Sequence, residues 1–315
     1  MDESHEDAKR GSDQADSGGY TPEETHEQQK SGSQPQQPKF TNKDFEPIKK
    51  EVYDSPCYEK CQNIGKAVIV SNFMESYKGK PECRTYASED CDTLQNVLTA
   101  FGFEPLDDTD MVHKNLTKKK FTELYKKAAE QNNYRPREEA GYTCVLFIVM
   151  SYGKAGLIKC HRETDQGCHE YVELKHLQEA FQPQNNGSLA LKPKIFIIQT
   201  IPEPETKADD HDKEGKEITT TRRIPREADF LTYTCDSYCL DTFKRHAVEN
   251  IFVKSIVQIL KGQMTDEPAL EIQKLLIRIN NEFKKKRDER RRDWKIPCVT
   301  SSLTKLLHLE PTKSK

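Results

Sequence analysis

The chain has 315 residues, 32% of them charged and 34% hydrophobic, with a formal net charge of −3. A balance this close to neutral, with a pI near 6.3, gives no global reason to expect a nucleic-acid or membrane partner. The start MDESHEDAKR has no apolar core of a signal peptide and no stretch approaches the roughly 18 apolar residues of a membrane helix, so a cytoplasmic protein is expected.

A mean hydropathy of −0.89 requires that a sizeable part of the chain stay outside any packed core. Residues 1–63, rich in Glu, Gln, Ser, Gly and Pro, are expected to be that part: a disordered pro-segment, either a solubilising tail or a regulatory one. Residues 66–73 (KAVIVSNF) form a continuous apolar run, short enough for a buried strand. Leu94, Val97, Leu98 and Phe101 then recur at helical spacing from Asp90 onward, with Gly102 as the stop. Phe121, Leu124, Tyr125 and Ala128 define a second amphipathic helix capped by Thr117. The run 144–150 (CVLFIVM) is the next strand, and Leu174, Leu177 and Phe181 mark a short helix before a strand at 194–199 (KIFIIQ).

Residues 203–224 are charged and without apolar period, which predicts an exposed linker. Beyond it, residues 229–234 (DFLTYT) suggest a strand. Helices are expected through Val248, Ile251, Phe252, Ile256 and Ile259, and through Ile272, Leu275, Leu276, Ile279 and Phe283. The basic run 284–292 (KKKRDERRR) is interrupted by acids and is expected to be a solvated helix end. Residues 297–309 (PCVTSSLTKLLHL) are apolar enough for an edge strand, which invites pairing with another chain. Strands alternating with helices predict an α/β fold around a mostly parallel sheet. The ten cysteines are expected as free thiols. The pairs Cys160-His161 and Cys168-His169 match no common zinc spacing, so neither metal nor cofactor is expected.

Several short runs resemble the caspase family. They are residues 191–199 (LKPKIFIIQ), Ala228-Asp229-Phe230-Leu231, and Pro297, Leu303, Thr304 and Lys305 in the terminal segment. Two strand ends add to the likeness, Ser151-Tyr152-Gly153 and Gln199-Thr200-Ile201-Pro202-Glu203, with Tyr152 forty-nine positions before Ile201. The family's signature sets a histidine about fifty residues before its cysteine. The resemblance implies a caspase-like fold, with a large-subunit-like region at 64–202, the linker at 203–224 and a small-subunit-like region at 225–315. It also implies that Tyr152 stands in place of the base and Ile201 in place of the nucleophile. Isoleucine offers no nucleophile, and a phenol with an ordinary pKa near 10 is a poor base at neutral pH.

From these two positions the chain is expected to be a pseudoenzyme, without catalytic residues and not a peptidase. The resemblance further implies a remnant aspartate pocket of Arg84, Gln199 and Lys244, and a remnant oxyanion hole at Gly153. The expected function is regulation of an active caspase in apoptosis by heterodimerisation through the C-terminal segment, as activator or as decoy, with a homodimer as the other pairing. Two alternatives stand beside it: a non-cleaving binder of Asp-containing peptides, and a cysteine endopeptidase with displaced catalytic residues. The run Glu51-Val52-Tyr53-Asp54 before Ser55 is similar to a caspase cleavage sequence, which makes Asp54 a candidate processing site.

Overall fold

The computed structural model describes residues 54–61, 63–73, 76–77, 80–81, 85–106, 110–131, 141–154, 156–162, 170–201, 228–236, 240–243, 247–264, 269–292 and 294–311. In chain order they form β1 (Asn63–Asn72), β2 (Ser76–Tyr77), β3 (Lys80–Pro81), α1 (Thr85–Phe101), β4 (Phe103–Pro105), β5 (Val112–Lys114) and α2 (Lys118–Glu130). Next come β6 (Tyr142–Lys154), β7 (Leu157–Lys159), β8 (Tyr171–Glu173), α3 (Leu174–Ala180) and β9 (Lys194–Ile201). The chain continues with β10 (Phe230–Cys235), β11 (Leu240–Phe243), β12 (Ala247–Asn250), α4 (Ile251–Gln263), β13 (Leu270–Glu271), α5 (Ile272–Glu289), β14 (Cys298–Ser301) and β15 (His308–Leu309).

The main sheet runs in the order β14-β10-β9-β6-β1-β4. Strands β10, β9, β6, β1 and β4 are parallel, and β14 lies antiparallel on the β10 edge. This is the expected α/β architecture, and its cause is visible along each strand. Alternate residues serve opposite faces. Cys144, Leu146, Ile148 and Met150 of β6 join one apolar cluster with α1, α4 and α5, whereas Val145, Phe147 and Val149 join the other with α2 and α3. Burial on both faces is why these strands read as unbroken apolar runs.

The helix ends follow the sequence signals. The Thr117 side chain accepts from the Lys120 N–H and caps α2. Gly102, at φ 107°, closes α1 with its N–H on the carbonyls of Leu98 and Thr99.

Three expectations need correcting. Val248 belongs to β12 and not to the following helix, because Asn250 caps α4 and its side chain accepts from Val253 N. Residues 297–309 do not form one strand but two short ones, β14 and β15, the second pairing with β13. The basic run is not merely solvated: Lys286 bonds Gln258 and Glu282, Arg287 reaches the Trp294 carbonyl, and Arg290 bonds Glu249 at 2.7 Å.

Candidate functional site

In open parallel sheets the strands' carboxyl ends are where ligands bind, because the loops diverge there. The ends of β6 and β9 bring the two singled-out positions together. Their ladder pairs Met150 with Gln199, Ser151 with Thr200 and, last, Tyr152 with Ile201. The sequence Ser151-Tyr152-Gly153 is not a turn after the strand, since β6 runs on through Lys154 and folds back as β7. Ile201 is fully buried in the apolar cluster that contains α1, α4 and α5. Tyr152 is half-buried against the same cluster, with its ring edge-on to Phe73 at 5.9 Å.

Gly153 has a steric reason to be glycine: a Cβ there would lie 2.1 Å from the Leu157 carbonyl oxygen. The β6–β7 pairing, Gly153 with Ile158, depends on that close approach. Next to it Ser151 is fully buried and donates to the Lys159 carbonyl at 2.7 Å. Asn72 at the end of β1 holds the neighbouring backbone, donating to the same carbonyl and accepting from Leu116 N. The floor of the site is thus made rigid by buried polar groups that are paired with backbone.

Of the three pocket residues expected, Arg84 and Lys244 lie outside the described residues. Gln199 is described, and its amide is committed. It donates to Asn250 Oδ1 at 3.0 Å and accepts from Asn250 Nδ2 at 2.8 Å, with both residues buried. Asn250 also bonds the carboxyl of Asp90 on α1, and burial pushes that carboxyl up to about 7. Asp90 and Asn250 line a cleft of about 560 Å³ together with Tyr86, Glu249 and Arg290. The chain Gln199–Asn250–Asp90 therefore runs from the strand ends to this cleft. Sequence reasoning missed both Asn250 and Asp90. The one available signal was the position of Asn250 just ahead of the apolar-periodic run of α4, where a cap belongs.

Among the described residues no group of His, Cys, Asp or Glu is arranged to hold a metal ion. Seven cysteines are free there, at 57, 61, 91, 144, 160, 235 and 298, and no described helix is long and apolar enough to cross a membrane. Of the two Cys-His pairs, Cys160-His161 follows β7, and Cys168-His169 lies outside the described residues.

The sequence model of the caspase domain, a peptidase family, matches residues 64–308. The chain belongs to the caspase family. Chicken (Gallus gallus) caspase-7 is 27% identical over 260 residues, covering 78% of this chain and 77% of the relative. Caspase-3 of Mesocricetus auratus is 26% identical over 254 residues, covering 78% and 83%. The crystal structure of Spodoptera frugiperda caspase-1 superposes with a TM-score of 0.60 at 22% identity, covering 85% of this chain and 99% of that one, and the structure of pro-sf-caspase-1 with 0.64 at 21%, covering 85% and 98%. These structural likenesses show the caspase fold.

The expectation that the chain is not an enzyme is corrected by this membership. The match spans nearly the whole described chain, the family is one of peptidases, and the relatives along that length are caspases. Tyr152 and Ile201 are two side chains within a domain whose family membership rests on residues 64–308 as a whole.

Proposed function

We propose that this caspase-family protein regulates the activity of a second caspase in apoptosis by pairing with it through its C-terminal segment. The observation that carries this reading is β14. Its four residues are all exposed, it hydrogen-bonds on one side to β10, and among the described residues no strand covers its other side. A four-residue ladder edge with Val299 and Cys298 in the open is a template for another chain's strand. A bound partner changes a caspase's rate only by its differential affinity for active and inactive forms, so the rate itself reads the sign.

The test is the initial rate at which a caspase from the same source cleaves an Asp-terminated fluorogenic peptide, titrated with this chain and with Val299→Glu. A rise means activation and a fall means decoy inhibition. Either change, lost in the Val299→Glu variant, supports the reading, and a rate unchanged at excess chain rejects it. Capture of Asp-containing peptides is the weaker reading, because the Gln199 amide is already bonded to Asn250.

Family membership favours a second reading, a cysteine endopeptidase whose thiol comes from elsewhere in the site. Cys235 ends β10 opposite Gln199, at the same end of the sheet, although it is buried. Turnover by this chain alone that disappears in Cys235→Ala would establish it, and turnover unaffected by that change would exclude Cys235. We also propose processing after Asp54, which is exposed just ahead of the segment anchored at Cys57 and Tyr58. Failure of active caspase to shorten the chain, with Asp54→Ala as control, rejects it.

A further inference from the structure

Lys192, in the loop ahead of β9, is 5% exposed, and its ammonium donates to the sulfur of Cys61 at 3.2 Å. A buried ammonium ordinarily meets a carboxylate or several carbonyls. Here its hydrogen-bond partner is a thiol. Cys61 is held in place from its backbone: its N–H donates to Thr143 Oγ1 at 3.0 Å, and that hydroxyl donates to the Asn63 carbonyl. Cys61 is only partly buried, whereas Lys192 is buried.

We propose that Cys61 and Lys192 are a peroxide-sensitive modification site that closes into a covalent sulfur–nitrogen bridge. Hydrogen peroxide transfers one oxygen to the sulfur, giving Cys61 sulfenic acid and one water, with the sulfur oxidised by two electrons and the peroxide reduced. The Lys192 nitrogen, having released a proton to solvent, attacks that sulfur and expels the oxygen as a second water, leaving S–N. Sulfenic acids condense in this way with a backbone nitrogen to a sulfenamide, and a free amine is the stronger nucleophile. A nitrogen already in contact has the advantage of an intramolecular reaction.

The competing thiol is Cys144, on the neighbouring strand. It is fully buried, its Sγ lies 3.3 Å from the Ile64 carbonyl, and burial pushes its pKa up to about 12, so it stays a neutral and weak resolving group. The bridge would tie the chain just before β1 to the chain just before β9, which flank β6 in the sheet.

The test exposes the full chain to hydrogen peroxide, blocks free thiols and maps digested peptides by mass spectrometry. The expected product is one linked pair of peptides carrying Cys61 and Lys192, about 2 Da lighter than their sum and released by dithiothreitol. The link should persist in Cys144→Ser. It should vanish in Lys192→Arg, which keeps the cation but has no nucleophilic amine, with Cys61 sulfenic acid then trapped by dimedone. A Cys61–Cys144 disulfide, a sulfinic acid at Cys61 with Lys192 unmodified, or an untouched Cys61 would each overturn the proposal.

Discussion

The phenol of Tyr58 donates a 2.6 Å hydrogen bond to the carboxylate of Asp229, 171 residues further along the chain. The same carboxylate oxygen accepts from the Thr304 hydroxyl at 2.6 Å, and the Thr304 N–H donates back to the Tyr58 oxygen at 2.9 Å. Burial, and then the bond to Asp229, hold the phenol well above its usual titration range, so it remains a donor at every working pH. Tyr58→Phe leaves the buried Asp229 short of a donor and the part-buried Thr304 N–H without its acceptor. The expected loss is about 2–3 kcal/mol, read as a lower urea midpoint with unchanged slope.

Asp90 sets a pH dependence. Folded, its carboxyl keeps its proton up to about 7, raised from 3.8 chiefly by burial and secondarily by Glu89 and Glu249, against the bond from Asn250. The unfolded chain gives up that proton near 3.8, so between these values the folded state binds more protons. Stability therefore falls as pH climbs through that window and levels off above about 7. Asp90→Asn should flatten the slope and be the more stable protein at pH 8, by at most about 4 kcal/mol, with no advantage near pH 4. Thermal melts across pH 4–8 decide it.

Lys194 carries the opposite sign. It is fully buried under the Phe230 ring, 4.7 Å away, with its ammonium on the Leu189 carbonyl, and burial lowers its pKa to about 8 against the pull of Asp229. The unfolded chain holds this proton to higher pH, so stability is lowest below about 8 and rises from there toward 10.5. Lys194→Met should stabilise the protein at pH 7, by on the order of 1 kcal/mol after loss of the hydrogen bond, and so raise its melting temperature. A melting temperature that drops would show that the buried charge is a net stabiliser.

Two glycines should respond in opposite directions to alanine. At Gly153 the added methyl collides with the Leu157 carbonyl, so β6 and β7 must part, at a cost of about 3 kcal/mol. At Gly262, within α4, nothing lies within 4 Å of the new methyl, and alanine should stabilise by about 0.5–1 kcal/mol. Denaturant melts of the pair give the comparison.

The parts of the fold that were legible are those whose residues face apolar neighbours on both sides. Strands β1, β6, β9 and β10 declared themselves as unbroken apolar runs, and α2 by its stripe and its Thr117 cap. Strands β4, β5, β7 and β8, of three residues each, have no pattern of their own. They exist because β1 offers a ladder to β4 and β5, β6 offers one to β7, and β7 in turn offers one to β8. The meeting of Tyr152 with Ile201 was readable, since both close long strands, but the bond between Gln199 and Asn250 spans 51 residues and depends on where β12 delivers its last residue. Nothing in the pattern around Asp90 announced its surroundings, because Glu249, Asn250, Val253 and Val257 beside it lie far along the chain. The inference from Tyr152 and Ile201 to a chain outside enzymology failed for a different reason: it read two side chains where the family is defined by the whole domain.

Strands β9 and β10 are sequence-distant neighbours, one ending at Ile201 and the other starting at Phe230, yet six paired residues join them and the apolar cluster on one face draws on both. Covalent continuity between these positions is therefore not what unites the halves. After a single backbone scission between them, the two fragments should migrate as one species on a native gel and separate only in denaturant. Their reassembly would be bimolecular, so the midpoint of unfolding, independent of dilution for the intact chain, would climb with protein concentration after the cut.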